Sequence, residues 1–144
     1  MNRRGMTLIE LVIVFVIIGA IAAFAFPRIG DGLTRQNVRS ARTLFVGLHA
    51  RARAIAIQRG SQTQLIVNNG TLTIQSLNPV TGANEQVGNV ENIGTRYGVT
   101  VLPANFTLTF DPRGIGMETS QTTLSITKGA YGTSVVMSPV GRIQ

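Results

Sequence analysis

Cysteine is absent from this sequence, which excludes a disulfide framework and a thiolate metal site. Acidic residues are scarce, with 6 Asp plus Glu against 13 Lys plus Arg in 144 residues. The sequence also lacks a glycine-rich phosphate loop, a His-Glu-x-x-His motif, a carboxylate pair and a nucleophile beside a usable histidine. His49 is the single histidine, and we interpret it as a surface or packing residue. We therefore expect no enzyme, no cofactor and no metal site.

The longest apolar run occupies residues 6–26, near the N-terminus. As an α-helix this run would be about 31 Å long, close to the thickness of a bilayer's hydrocarbon core. Arg3 and Arg4 precede it, and positive charge beside a first apolar span holds that end in the cytoplasm. The sequence therefore predicts a single-pass protein whose N-terminus is cytoplasmic and whose remaining residues lie outside.

One carboxylate, that of Glu10, interrupts the apolar run. A charged side chain inside a membrane helix costs on the order of 2.5–3.5 kcal/mol and needs a compensating partner. No Lys, Arg or His lies between residues 6 and 26. Cleavage between Gly5 and Met6 would place a new α-amino group one helical turn from Glu10, at a helix N-terminus whose dipole also favours a carboxylate. These residues therefore suggest a processing event.

The segment R-G-M-T-L-I-E-L-V-I-V at residues 4–14 resembles the class III signal of type IV pilins and type II secretion pseudopilins. The resemblance implies that a prepilin peptidase cuts after Gly5 and methylates the new amine of Met6. It also implies that Glu10 pairs with the amine of a neighbouring subunit during filament assembly. Family members usually carry Phe where this chain has Met6.

Two other interpretations of the apolar run remain open. A plain single-pass anchor would have the same length, but it would rarely carry an unpaired glutamate near one end. A cleaved secretory signal is the sharper alternative, because Ala23-Phe24-Ala25 fits the small-x-small cleavage rule after a basic start. Glu10 argues against such a signal, and so does the helical pattern that continues beyond Pro27.

The helix is expected to resume after a kink at Pro27, whose ring removes a backbone donor. It should end near Arg59, with Gly60 as its stop. Apolar side chains at helical spacing form one face, the helix stripe: Ala41, Leu44, Phe45, Leu48, Ala52, Ile55 and Ala56. Arginines share the opposite face and are interpreted as a solvated face or as contacts to neighbouring subunits or an anionic polymer: Arg35, Arg39 and Arg42.

After residue 60 the apolar period changes from 3.6 to 2, which indicates strands. Asn69-Gly70 predicts a type I′ hairpin between residues 64–67 and 71–75. Residues 83–94 are expected to form a loop with one short strand near 85–90. Further strands are predicted at residues 95–102, 106–110, 122–127 and 133–137. The chain should therefore adopt an α+β fold in which the long helix packs on an antiparallel sheet that is buried on one face.

Three short elements of the head, R-A-I-A-I at 53–57, F-D-P-R-G at 110–114 and V-G-R-I at 140–143, resemble the GspH/FimT family of minor pseudopilins. The resemblance implies a pilin-like fold. We accordingly divide the chain into a leader at residues 1–5, a membrane-spanning helix half at 6–29 and a periplasmic head at 30–144.

The resemblance implies a minor pseudopilin of a type II secretion system, or a minor type IV pilin, in the bacterial inner membrane. Its partners would be prepilin peptidase, the inner-membrane assembly platform and other pilin-like subunits near the tip of a periplasmic filament.

The alternative function is a FimT-like minor pilin that captures DNA, with Arg113, Lys128 and Arg142 contacting phosphates. A formal charge of +7, almost all of it from arginine, suits that role. DNA-capturing members resemble one another in a terminal G-R-x-R, whereas this chain ends in G-R-I-Q. Because the second arginine is missing, we expect DNA binding to be weak.

Overall fold

The computed structural model describes residues 7–144, and the side chains of all of these except 24–29. Gly5 and Met6, the predicted processing residues, therefore lie outside the described residues. The chain forms two compact units, Met1–Leu33 and Thr34–Gln144. A single helix, α1 (Leu8–Arg59), runs through both.

In the first unit, α1 carries large apolar side chains that are mostly exposed to solvent. They are Leu8, Ile9, Leu11, Val12, Ile13, Val14, Phe15, Val16, Ile17, Ile18 and Ile21. Over the residues for which placement is described, no helix meets the combined length and apolarity of a membrane span. The helix is continuous through Pro27. The kink expected at that residue, a change in the direction of the helix axis, stays a prediction.

In the second unit, the helix stripe forms one wall of the hydrophobic core, as the sequence predicted. Ala41, Phe45, Ala52 and Ala56 are completely buried, and Val38 extends the stripe by one turn. α1 ends where expected. The Gly60 N–H donates to the carbonyl of Ile57 and the Ser61 N–H to that of Ala56, both at 3.3 Å. With a φ of 58° at Gly60, this is the Schellman arrangement that satisfies the last carbonyls of a helix.

The predicted hairpin is confirmed by the first two strands, β1 (Thr63–Asn68) and β2 (Thr71–Leu77). Asn69 and Gly70 both have positive φ, at 46° and 77°, as a type I′ turn requires. Inward residues of both strands are buried and alternate with partly exposed ones, because successive side chains point to opposite faces.

The head contains two antiparallel sheets within the described residues, where the sequence suggested one. The remaining strands are β3 (Asn84–Gln86), β4 (Glu91–Asn92), β5 (Thr100–Leu102), β6 (Asn105–Phe110), β7 (Thr122–Lys128) and β8 (Tyr131–Met137). The larger sheet has the order β3-β2-β1-β6, with β4 also paired to β2, and the smaller sheet has the order β5-β7-β8. Buried residues of both sheets and of the helix stripe form one core, so α1 packs against both.

Two local predictions were wrong. Residues 95–97 are not a strand but part of a short helix, α2 (Ile93–Tyr97), because Asn92 caps its first turn and Gly98 ends it at φ 62°. The Asn92 side chain accepts a hydrogen bond from the Thr95 N–H at 2.9 Å, which is how asparagine favours a helix start. In addition, residues 83–94 contain two short strands, β3 and β4, rather than one near 85–90.

The buried helix stripe predicts how the head responds to charge. Leu48 is only 7% exposed, so Leu48→Asp places an unpaired carboxylate in the core and costs several kcal/mol of a typical 5–15 kcal/mol stability. A fragment of residues 30–144 should be soluble, monomeric and mixed helix and strand by circular dichroism, and Leu48→Asp should unfold it. Thr43→Asp, on the exposed face of the same helix, is the matched control. A folded Leu48→Asp fragment would contradict this packing.

Candidate assembly site and basic surfaces

Glu10 is held by the first turn of α1. Its Oε2 accepts hydrogen bonds from the Thr7 N–H at 2.9 Å and the Thr7 hydroxyl at 3.2 Å. In return, the Glu10 N–H donates to Thr7 Oγ1 at 3.3 Å. This reciprocal pair is a capping box, in which a threonine at the N-cap and a glutamate three residues later satisfy donors at a helix start.

The capping box supplies a local partner for Glu10 that the sequence analysis missed. The sequence T-L-I-E at residues 7–10 predicts this capping box, because Ser or Thr followed three residues later by Glu marks a helix N-terminus. Among the described residues, both hydrogen bonds end on Oε2, which leaves Oε1 to accept from a further donor.

Arg113 lies in the turn after β6 and is engaged by Asp111. Its Nε donates to Asp111 Oδ2 at 3.0 Å, and its N–H donates to Asp111 Oδ1 at 2.9 Å. The Ile115 N–H, which also donates to Oδ1, is the main cause of a lowered pKa of the Asp111 carboxyl, opposed by partial burial and assisted by Arg113. The Arg113 side chain is still 80% exposed, so it can reach a partner.

Lys128, at the end of β7, is turned toward the protein. Its Nζ donates to the carbonyl oxygen of Tyr97 at 2.6 Å, and the residue is only partly exposed. This contact ties the end of β7 to the end of α2. Lys128 therefore has a structural role in the head that competes with any contact to an anionic partner.

Arg142 lies beside α1, in a shallow groove of about 280 Å³. We name it the arginine groove; its lining is His49, Ala50, Arg53, Gly141, Arg142 and Ile143. The backbone at Gly114, next to Arg113, lies close to the side chains of Ile57 and Arg53. Arg53 therefore lies near the turn that carries Arg113 and also lines the groove with Arg142, whereas Lys128 is not part of the groove.

Two tyrosines and three arginines form another surface of the head, which we name the tyrosine surface: Arg35, Arg39, Arg96, Tyr97 and Tyr131. Arg39 lines one hollow with Tyr131 and another with Tyr97. Lys128, which pairs with Tyr131 across β7 and β8, contacts Tyr97 as described. The three residues predicted to contact DNA therefore lie on different surfaces of the head. Arg113 and Arg142 lie near Arg53, whereas Lys128 lies beside the two tyrosines.

His49 is a packing residue and lies at the floor of the arginine groove. It is 5% exposed, and its ring meets the Phe110 ring edge-on at 5.1 Å. Its Nε2 is buried without a hydrogen-bond partner among the described residues. Burial lowers the pKa of His49, and the charge of Arg53 lowers it further. No cluster of His, Cys, Asp or Glu able to hold a metal occurs in the described part of the chain.

Comparison with known proteins gives three results. Residues 1–26 match the family described as the prokaryotic N-terminal methylation motif. The whole chain is similar to the pilin-like protein PilA1 of Thermus thermophilus, with 33% identity over 158 residues that cover 99% of this chain and 97% of that protein. The structure is similar to that of the type IV minor pilin FimU of Pseudomonas aeruginosa, with a TM-score of 0.60, 21% identity and coverage of 76% of this chain and 88% of that one.

The burial of His49 predicts that the head is less stable in acid. The unfolded chain takes up a proton near the ordinary pKa of 6.5, whereas the folded chain does so only at lower pH. The free energy of unfolding should therefore fall as pH decreases below 6.5, by at most about 1.4 kcal/mol per pH unit, until the folded-state pKa is reached. Charged groups around the ring are Arg53, Arg142 and, across the small internal cavity beside it, Glu118.

Denaturant unfolding of the 30–144 fragment between about pH 8 and pH 5.5 measures this slope. His49→Gln removes the titrating group and should make the free energy of unfolding less dependent on pH over this range. Equal slopes in the two proteins would show that protonation of His49 is not what weakens the fold.

Proposed function

The chain belongs to the type IV pilin-like proteins, and from this membership we propose that it is a minor subunit of a membrane-anchored filament. Prepilin peptidase cuts after Gly5 and methylates Met6, and Glu10 then pairs with the amine of a neighbouring subunit. The proteins of this family are structural subunits and not enzymes, which agrees with the expected lack of catalysis. The filament is that of a type II secretion system or of a type IV pilus.

The observation that carries the proposal is the state of Glu10 in the single chain. Its carboxylate lies among exposed apolar side chains, and its bonds within the described residues are to Thr7 alone. Neutral donors satisfy a carboxylate less well than a charged amine, because charge-assisted hydrogen bonds are roughly twice as strong. A neighbouring subunit's amine would therefore be the better partner.

The proposed topology places the head in the periplasm and the N-terminus in the cytoplasm, with one span in the inner membrane. Arg3 and Arg4 support this orientation, because basic residues before a first apolar run favour the cytoplasmic side. Exposed apolar side chains from Leu8 to Ile21 support insertion, since lipid or neighbouring helices would cover them. The assembly platform of the inner membrane is the further partner that such a subunit needs.

DNA capture is the second candidate function, and the arginine groove is the feature that favours it. Arg53 and Arg142 share this groove, and Arg113 is mostly exposed nearby, so three guanidinium groups could meet phosphates without reading sequence. The missing terminal arginine and the engagement of Lys128 and Arg113 within the head leave few free charges. We therefore rank this function second.

The assembly role of Glu10 predicts a clear phenotype. Glu10→Val should insert into the membrane at least as well as the parent, because it removes a cost of about 2.5–3.5 kcal/mol, but it should crosslink less to other pilin-like subunits. Thr7→Val is the matched control: it removes the two hydrogen bonds of the Thr7 hydroxyl and retains the carboxylate with its bond from the residue-7 N–H, so crosslinking should persist. Undiminished crosslinking in the Glu10→Val protein would remove the assembly role of this residue.

The DNA function predicts measurable binding to duplex. With so few phosphate contacts, affinity should be weak and should fall away by about 150 mM salt. Arg142→Ala and Arg59→Ala, an equal loss of charge elsewhere on the head, should have similarly small effects in a titration of labelled duplex. Micromolar or tighter binding at that salt concentration, dependent on Arg142 and independent of Arg59, would make DNA capture the leading function.

A further inference from the structure

Both tyrosines of the chain lie on the tyrosine surface, and each has an arginine over its ring. The Arg35 guanidinium lies 4.5 Å from the centroid of the Tyr131 ring, and Arg35 Nη2 donates to the Tyr131 hydroxyl at 2.9 Å. Arg96 lies 5.7 Å from the centroid of the Tyr97 ring. One face of each ring is therefore already occupied by a guanidinium group.

Arg39 connects the two tyrosines. It is exposed and lines two open hollows, one of about 380 Å³ with Arg35 and Tyr131 and one of about 550 Å³ with Tyr97. Among the described residues, the lining of both hollows contains arginine, tyrosine, small polar and aliphatic residues and no carboxylate.

Arg96 is paired with Glu91, whose Oε2 accepts from its Nη1 at 3.0 Å. The exposed Asp31 lies one helical turn before Arg35. The positive charge of the hollows therefore comes from Arg35 and Arg39, beside aromatic rings and with room for bulky anionic groups.

The position of this surface along the chain limits its distance from the apolar run. Arg35 follows Phe26, the last residue of that run, by nine residues, and a helical segment of that length spans at most about 14 Å. The headgroup layer adds about 5–8 Å beyond the hydrocarbon core. For Arg35 the remaining gap is therefore at most about 6–9 Å, comparable to the Debye length of about 8 Å at physiological salt, and Arg39 lies about 6 Å further along the helix.

We propose that the tyrosine surface docks on anionic phospholipid headgroups of the leaflet in which the apolar run is anchored. The docking rests on the membrane anchoring of the proposed function. Arginine forks match phosphate geometry, and tyrosine favours membrane interfaces, where its ring is covered and its hydroxyl remains hydrated. Single-stranded nucleic acid is the less suitable partner, because it binds by stacking bases on aromatic faces and Arg35 and Arg96 occupy one face of each ring.

Docking of this kind would hold the head of an unassembled subunit against its own membrane. Each arginine near an anionic surface contributes about fivefold to the docking equilibrium. The contact would be lost when the subunit rises into a filament. The tyrosine surface therefore orients the head before assembly.

The absence of tryptophan makes the experiment direct, because tyrosine emission of the full chain comes from Tyr97 and Tyr131 alone. The full chain is placed in phosphatidylcholine nanodiscs whose headgroups carry a spin label, with or without about one third phosphatidylglycerol. Emission is normalised to the same discs without label. We expect stronger quenching in the anionic discs, and weaker quenching there at high salt.

Arg35→Gln with Arg39→Gln should reduce the ratio of docked to undocked heads by about 5-fold to 25-fold, the larger value applying if Arg39 also reaches the headgroups, and should abolish most of the extra quenching. Arg53→Gln with Arg59→Gln removes the same charge from the same helix, beginning about 27 Å further along, and should leave the extra quenching intact.

Equal quenching in neutral and anionic discs, or an equal loss in the control double variant, would overturn the docking. So would loss of the extra quenching in anionic discs when inorganic phosphate replaces chloride at constant ionic strength, because the surface would then be a site for free anions. Reversal of the quenching by duplex or single-stranded DNA at physiological salt would assign the surface to nucleic acid. Failure of the chain to enter any disc would contradict the anchoring itself, and the docking with it.

Discussion

The apolar surface of α1 from Leu8 to Ile21 is the feature on which the rest of the account depends, because in the single chain its large side chains are exposed. Full burial of one such side chain is worth about 1.5–3 kcal/mol. Burial of two or three therefore offsets the cost of about 2.5–3.5 kcal/mol for placing Glu10 in lipid. The segment has a strong tendency to be covered in spite of its carboxylate, and the capping box with Thr7 reduces the number of unsatisfied donors at its start.

The two halves of α1 are both helical, but they differ in what covers their apolar side chains. In the second unit the helix stripe packs against two small sheets and completes one core, so this half stabilises the head from within its own chain. The first half presents apolar residues around its circumference and needs an environment supplied from outside. The proposed filament subunit needs both, since its head would have to stay folded while the exposed half of α1 exchanged lipid for neighbouring helices.

The strongly periodic parts of the fold could be predicted from the sequence. The helix stripe, the Gly60 stop and the Asn69-Gly70 hairpin each follow from local chemistry that a short window contains. α2 could not be recognised by period, because it is five residues long and is anchored by the complete burial of Ile93. The division into two sheets depends on pairings between distant strands, such as β1 with β6, which no local pattern specifies.

The sequence predicted the basic residues of the candidate sites but not how they are grouped. The sequence predicts turns or the C-terminus for Arg113, Lys128 and Arg142, yet the fold places Lys128 at the end of β7 against Tyr97 and Arg142 beside Arg53 and His49. Their grouping depends on where β7 ends relative to α2 and where the C-terminal residues meet α1. The stacking of Arg35 on Tyr131 joins residues far apart in the sequence for the same reason. The structure thereby separates two basic surfaces with different chemistry.

The mature N-terminus tests the central claim most directly, because the proposed assembly pairs Glu10 with the amine that cleavage after Gly5 creates on a neighbouring subunit. Intact mass spectrometry of the protein purified from membranes that contain prepilin peptidase measures it. We expect a chain that begins at N-methylated Met6. A mature chain that begins at Phe26 would identify the apolar run as an ordinary secretory signal and would contradict the account.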